Sequence, residues 1–167
     1  MNAAAVNDRR RFGDWESDTV EGAKGTGLTA THVERKSRYT RLAKLNNKKA
    51  ATLSAATGAA IKDLPGKLRR TSTADNGKEF ADFKTIESAL GLKVYFANPH
   101  APRERGTNEN TNGPLRDSFP KASDFRRTTH ARLAHVQRML NNRPRKCLDY
   151  RTPREALNAL PGVALRN

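Results

Sequence analysis

Residues 13–45, GDWESDTVEGAKGTGLTATHVERKSRYTRLAKL, decide the fold because they predict three strands in succession. Trp15–Val20 alternates enough between apolar and polar side chains to predict the first strand. A glycine-rich connection leads to a second predicted strand, Leu28–Val33, and a short polar run leads to a third, Tyr39–Leu45. Strands joined by such short connections favour an antiparallel meander.

Downstream of this meander the sequence predicts helices and strands in alternation. The predicted elements are a helix over 48–64 capped by Asn46 or Asn47, a strand Leu68–Ala74, a helix over 80–90 ended by Gly91, a strand Leu92–Ala97, and helices from Gly106 or Thr107, over Thr129–Asn141 and from the cap Thr152 to Leu157. The Thr129–Asn141 helix is predicted to bury Leu133, Val136, Met139 and Leu140. This order fits the α/β class, as a mixed five-stranded sheet flanked by helices.

The chain length fits one domain, and the charge points to an anionic partner. We expect a flexible basic lead-in over 1–12, a core over 13–160 and a short C-terminal tail over 161–167. Lys and Arg total 32 against 17 Asp and Glu, a formal net charge of +15. Nucleic acid is the partner most often implied, because neutralising phosphates releases counterions. An anionic membrane surface or a ribosomal site is the alternative.

Several classes of protein and site are excluded by composition. No apolar run approaches the roughly 20 residues that span a bilayer, and no apolar segment follows Arg9–Arg11 as a secretory signal requires. The single Cys147 excludes an internal disulfide and a cysteine-rich zinc site. With 4 scattered His residues, any metal is expected to be bound by carboxylate oxygens.

Three carboxylates stand out by their positions. Asp18 lies in the middle of a predicted strand, Asp75 directly follows another, and Glu109 lies at the centre of residues 98–116, NPHAPRERGTNENTNGPLR. In a mixed sheet the first and fourth strands can be neighbours, which would place Asp18 beside Asp75. Clustered carboxylates repel one another unless a cation joins them, and their hard oxygens select Mg²⁺ or Mn²⁺. Two such ions promote phosphodiester displacement.

Each of these carboxylates also has an ordinary structural interpretation. Asp18 alone is most simply an ion-paired strand residue, Asp75 a turn residue within Asp-Asn-Gly, and Glu109 a solvated helix residue. The ordered set and its neighbours favour a metal site.

Five motifs together indicate a family. They are GDWESDTVEG, HVERKSRYTRL, TADNGKEF, NPHAPRERGTNENTNGPLR and LNNRPRKCLDYRTPREAL. Over about residues 13–157 the chain resembles the catalytic domain of DDE transposases of the IS30 family, which belong with retroviral-type integrases in the RNase H-like superfamily. The 33 residues 76–108 between Asp75 and Glu109 match the spacing of that family. Arg105 and Arg116 flank Glu109 as in its R-E-K/R signature.

The resemblance implies a set of functional residues. Asp18, Asp75 and Glu109 would be the catalytic ligands of Mg²⁺ or Mn²⁺, with two ions expected. Arg105 and Arg116 are spaced to share a helix face with Glu109 and are expected to bind DNA phosphates. Further expected DNA-binding or supporting residues are Asn108, Asn110, Asn112 and Lys78, with Glu16 and Glu79 as carboxylates that support the metal ligands. His100 is expected either to orient its loop or to take part in catalysis.

The expected function is metal-dependent DNA strand cleavage and strand transfer during transposition of an insertion sequence. We expect a homodimer or larger assembly on DNA, in the bacterial cytoplasm with the nucleoid and away from membranes. Two departures from the family stand out: residues 1–12 cannot form its N-terminal helix-turn-helix region, and Asp14 stands where His is common. A truncated chain that is inactive alone, a non-catalytic DNA-binding remnant, and a nuclease of the same fold remain the alternatives.

Overall fold

The computed structural model describes residues 10–97 and 106–163, with the side chains of Gly106, Asn108 and Glu109 outside this description. The strands are β1 (Asp14–Glu21), β2 (Leu28–Glu34), β3 (Thr40–Leu45), β4 (Thr71–Ala74) and β5 (Lys93–Phe96). The helices are α1 (Ala50–Ile61), α2 (Phe83–Leu90), α3 (Gly106–Ser118), α4 (His130–Asn141) and α5 (Pro153–Asn158), with short 3₁₀ helices at Gly66–Leu68, Lys78–Phe80 and Lys146–Leu148.

The strands form one mixed sheet in the order β3-β2-β1-β4-β5. β1, β2 and β3 pair as an antiparallel meander, while β4 is parallel to β1 and β5 is parallel to β4. The predicted five-stranded mixed sheet is therefore confirmed, and so is the expectation that the first and fourth strands are neighbours.

Two boundaries differ from the prediction. The strand predicted from Leu68 begins only at Thr71, because Gly66–Leu68 folds into a 3₁₀ turn whose Leu68 carbonyl accepts the Trp15 indole N–H at 2.7 Å. The prediction that Asn46 or Asn47 caps the first helix is wrong, since Lys49 occupies the N-cap. Asn47 Oδ1 accepts instead from the Lys49 backbone N–H at 2.9 Å, so it orders the approach to the helix.

Helices cover both faces of the sheet because β1 and its neighbours alternate in the side chains that they present. On one face, the buried core includes Trp15, Ile61, Leu64, Leu68, Ile86 and Leu90, which join the sheet to α1 and α2. On the opposite face, Val20 and Leu42 pack with Leu115, Phe119, Leu133, Val136 and Leu140 of α3, α4 and their connection. Met139, predicted to be buried with them, is 52% exposed because it falls off the apolar side of α4.

The ends of the helices follow the predicted capping chemistry more closely. Gly91 ends α2 with a left-handed φ of 64°, and Thr129 caps α4 by accepting from the Arg132 N–H. Thr152 and Glu155 form a reciprocal capping box at α5. In the two described stretches of the chain, none of these helices has the length and apolar character needed to cross a membrane.

Helix α4 also protects the free edge of the sheet at β3. The Asn141 amide accepts from the Thr40 N–H and donates to the Thr40 carbonyl, each at 2.8 Å. Gln137 Oε1 accepts from the Leu42 N–H at 2.8 Å. These side chains occupy backbone groups to which another strand would otherwise bind.

A buried histidine lies at the centre of the sheet. His32 on β2 is 0% exposed, and its Nδ1 lies 2.8 Å from Ser17 Oγ, which is itself 2.7 Å from Ser72 Oγ. Its Nε2 is buried with no hydrogen-bond partner among the described residues. Burial lowers the pKa of His32 from 6.5 to about 4, so the ring is neutral in the folded protein near neutral pH.

Acidification should therefore destabilise the fold through His32. Between pH 6.5 and about 4 the unfolded chain binds a proton that the folded chain excludes, so the free energy of unfolding falls as the pH is lowered through this window. The expected loss is about 3 kcal/mol for this group, and it is absent above the window. Urea denaturation at both ends of the window should show a smaller loss for His32→Gln than for the parent protein. Equal losses in the two proteins would contradict this assignment.

Candidate active site

The site is built where β1 and β4 approach their carboxyl ends. Asp18 is half-buried on β1, opposite Thr31 of β2, and its Oδ1 accepts from the Thr19 N–H at 2.8 Å. Asn112 of α3 reaches it from above the sheet, with Nδ2 lying 3.5 Å from Asp18 Oδ2. The carboxylate is thus oriented by its own strand and by a helix that crosses the sheet.

Asp75 comes level with Asp18 through the parallel pairing of their strands. Glu16 of β1 is paired with Thr73 of β4, and two further residues along each strand lead to Asp18 and Asp75. Side chains two residues apart on a strand point to the same face, and neighbouring strands lie about 4.8 Å apart. The register therefore brings both aspartates to one face at one end of the sheet.

The turn after β4 supports Asp75 and places a further acid beside it. Gly77 donates its N–H to Asp75 Oδ1 at 3.0 Å. A Cβ added to Gly77 would lie 2.9 Å from that oxygen and 2.6 Å from Glu79 Oε2. Glycine is thus required because the two carboxylates close around its backbone. Glu79 also accepts from the Thr19 hydroxyl at 3.1 Å, which links it to the residue after Asp18.

Glu16 anchors the beginning of α3 to the sheet. Its Oε2 accepts from the Thr107 N–H at 3.0 Å, and its Oε1 lies 3.1 Å from Arg35 Nε. The side chains of Glu16 and Arg35 are each only 1% exposed, so this is a buried ion pair. Glu109 lies on α3 two residues after Thr107, in a backbone position fixed by that anchor.

Arg35 and Arg38 are the site residues that sequence reasoning missed. Arg35 pairs with Glu16, and Arg38 Nη1 donates to Thr107 Oγ1 at 2.7 Å, so both reach the start of α3 from the turn between β2 and β3. The only signal in the sequence was the basic composition of that turn. Their roles depend on which helix crosses above the turn, and strand patterns do not predict this.

The predicted DNA-binding residues are distributed unevenly. Lys78 is exposed on the 3₁₀ helix after Asp75, whereas half-buried Arg116 donates from Nη2 to the Glu21 carbonyl at 2.9 Å. Asn112 lies against Asp18, and Asn110 is exposed. The calls on Arg105 and His100, and on the side chains of Asn108 and Glu109, lie outside the described residues.

The donor chemistry fits a hard divalent cation. Carboxylate oxygens face the site from Asp18 and Asp75, and the Gly77 backbone leaves room that a side chain would fill. Within residues 10–97 and 106–163, apart from the side chains left undescribed, no group of three or more His, Cys, Asp or Glu residues has an arrangement that could hold a metal. The two aspartates are therefore a partial ligand set within the described structure.

Comparison with known proteins assigns a family to this arrangement. The Integrase core domain family matches residues 8–102. The transposase InsI of insertion sequence element IS30A, from Escherichia coli (strain K12), is 42% identical over 160 residues, covering 96% of this chain and 41% of that protein. The transposase of insertion sequence element IS4351, from Bacteroides fragilis, is 41% identical over 150 residues, covering 90% of this chain and 46% of that protein. The chain thus spans less than half the length of these relatives, and the predicted resemblance to IS30-type transposases is confirmed.

Solved structures show the same fold. The crystal structure of the catalytic core domain of BIV integrase matches with a TM-score of 0.68 and 19% identity, covering 88% of this chain and 95% of that chain. An integrase chain in the cryoEM structure of the simian T-cell lymphotropic virus intasome matches with a TM-score of 0.72 and 19% identity, covering 94% of this chain and 59% of that chain. The predicted RNase H-like fold is confirmed. Because the family match covers more than half of the 167 residues, the chain belongs to the integrase core domain family.

Proposed function

We propose that this chain is the catalytic core of an insertion-sequence transposase, a polynucleotidyl transferase that cleaves and joins DNA phosphodiester bonds. The observation that carries the proposal is the parallel pairing of β1 with β4, which brings Asp18 and Asp75 level beneath α3. The transposase names of relatives at 41–42% identity support the same chemistry.

Asp18, Asp75 and Glu109 are the proposed ligands of two Mg²⁺ or Mn²⁺ ions. The first two rest on the sheet geometry, and Glu109 rests on its spacing in the sequence and its backbone position on α3. When bound, such ions favour deprotonation of an attacking oxygen and stabilise the charge of a leaving oxygen. Glu79, beside Asp75 across Gly77, supports the negative potential of the site.

The remaining residues of the site position these groups. The N–H groups of Thr19 and Gly77 fix one oxygen of Asp18 and Asp75, respectively. Glu16 holds the first turn of α3 through the Thr107 N–H, which sets the height of Glu109 above the sheet. Preorganisation of this kind lowers the cost of assembling the site around a phosphodiester. In the proposed reaction, water attacks a phosphodiester at the element end and the released 3′-hydroxyl then attacks target DNA.

The proposed substrate and partner is DNA. The formal charge of +15 favours binding to phosphates, and exposed Lys78 lies three residues after Asp75. Arg105, Arg116, Asn108 and Asn112 remain proposed DNA contacts, although Asn112 also orients Asp18. We propose a homodimer or larger assembly on DNA, acting with the bacterial nucleoid in the cytoplasm.

The proposal is tested with a labelled DNA duplex that carries an IS30-type element end, together with a target plasmid. In Mg²⁺ or Mn²⁺ we expect a nick at the element end and joining of the released 3′-end to the plasmid, with neither product in EDTA. Cleavage without joining would instead assign a nuclease. Salt-sensitive binding with no cleavage of an intact or pre-nicked end would assign a non-catalytic DNA-binding remnant.

A further inference from the structure

A second cluster of cations lies apart from the carboxylates, in the segment that joins α4 to α5. Residues 143–151, RPRKCLDYR, contain four Arg or Lys residues and one Asp. Half-buried Arg145 lies at the centre, and its Nε and Nη2 are buried with no hydrogen-bond partner among the described residues. These two atoms form one edge of the guanidinium group, whose parallel N–H bonds fit two oxygens of a phosphate.

The surroundings of Arg145 make this lack of an acceptor costly. Burial lowers the pKa of Arg145, and the charges of Arg143 and Arg38 lower it further, so like charges face it from both sides. Buried donors without acceptors and unpaired buried charges each destabilise a fold, and native structures therefore supply a partner to nearly all of them. Arg41 and Arg116 also have one buried nitrogen without a partner, but each makes a hydrogen bond through another nitrogen.

The backbone holds this cluster in a fixed shape. Arg145 donates its N–H to the Arg151 carbonyl at 3.0 Å, and its own carbonyl accepts from the Leu148 N–H at 2.9 Å and the Tyr150 N–H at 3.0 Å. Asp149 and Tyr150 have left-handed φ values of 53° and 62°, which are unfavourable for residues other than glycine. Backbone strain of this kind is concentrated at binding sites. The turn leaves Tyr150 71% exposed beside the cations.

The cluster is also connected to the catalytic part of the fold. Arg38, whose charge acts on Arg145, donates to Thr107 Oγ1 at 2.7 Å at the start of α3. Thr107 is the residue anchored by Glu16, and Glu109 follows two residues later. An anion held by Arg145 would therefore lie next to the helix that carries the third proposed carboxylate.

We infer that Arg145, with Arg38 and Arg143, forms a phosphate-binding site for the DNA backbone, separate from the carboxylates, and that this site holds a strand as it passes the start of α3. The DNA assignment rests on the proposed function, whereas the anion site rests on the cluster itself. The exposed ring of Tyr150 provides a surface against which a sugar or base of the same strand can pack.

The test measures the affinity of the protein for a fluorescent DNA duplex by anisotropy over a range of salt concentrations. Arg145→Gln should weaken binding about tenfold and reduce the slope of log K against log salt by about one. Arg145→Lys should recover only part of the affinity, because lysine keeps the charge but lacks the paired donors. The matched control is Arg127→Gln, an exposed arginine at the opposite end of α4, which should change the affinity less than about twofold.

The stability of the same variants separates a binding role from a structural one. Because Arg145 lacks an acceptor without DNA, Arg145→Gln should melt at the same temperature as the parent protein or higher. A lower melting temperature for both Arg145 variants, or equal affinity of Arg145→Gln and the parent, would overturn the inference. Equal competition by single-stranded RNA would overturn the DNA assignment. If the parent protein bound no DNA at all, the proposed function itself would fail.

Discussion

Replacing Asp75 by Asn should reduce DNA cleavage and joining by about 10³-fold or more. The substitution keeps the shape of the side chain but removes the negative charge at the position where β4 meets the level of Asp18. Bound divalent ions contribute several kcal/mol of charge stabilisation in phosphodiester chemistry, and each 1.36 kcal/mol is a factor of ten in rate. Asp18→Asn and Glu109→Gln should have effects of the same order.

The measurement is the initial rate of nicking of an element-end duplex in Mg²⁺, with the affinity for the same duplex measured in parallel. DNA affinity should be retained or slightly increased in the Asp75→Asn variant, since the variant removes a charge that repels phosphates. Asp117→Asn is the matched control, because its side chain on α3 is 75% exposed and remote from the two aspartates along the helix. Cleavage by Asp75→Asn at a rate close to that of the control would contradict the proposed site.

The second large effect is expected on stability, from the buried pair of Glu16 and Arg35. Arg35→Met leaves the Glu16 carboxylate buried without its cation, which typically costs about 3–5 kcal/mol of unfolding free energy. Arg35→Met combined with Glu16→Gln should cost less than the sum of the two single changes, because it leaves no unpaired buried charge. Urea denaturation of the four proteins near neutral pH measures this coupling.

The same pair also connects stability to catalysis. Glu16 accepts from the Thr107 N–H, so its loss should release the first turn of α3 and lower the cleavage rate even where the protein remains folded. Glu16→Gln keeps an oxygen for that N–H and should retain more activity than Glu16→Ala. A loss of less than about 1 kcal/mol for Arg35→Met would mean that water or another group compensates Glu16, against the buried ion pair assigned here.

The fold was largely predictable from local patterns, and its errors have local causes. Alternation in Trp15–Val20 and the two strands after it predicted the meander, because a half-buried strand needs that period. The start of β4 was misplaced at Leu68, since an apolar residue in a 3₁₀ turn resembles a strand residue until its carbonyl is seen to accept from Trp15. Met139 was assigned to the core by spacing alone, although the packed side of α4 does not include it.

The candidate site was predictable only in part. Asp18 and Asp75 were singled out by their strand positions, and the pairing of β1 with β4 places them together. The pairing of Glu16 with Arg35 and the cluster around Arg145 depend on contacts between distant segments, which no local pattern contains. Sequence reasoning therefore found the residues of the proposed chemistry but not those that hold the helix above them.

The most direct test of the account is the position of Mn²⁺ in a crystal of this protein bound to an element-end duplex. Anomalous scattering should place an ion about 2 Å from carboxylate oxygens of both Asp18 and Asp75, and the ion should be lost in Asp75→Asn. Mn²⁺ bound only to DNA phosphates, or to acids other than these two in a complex that cleaves DNA, would contradict the claim that the paired ends of β1 and β4 form the active site.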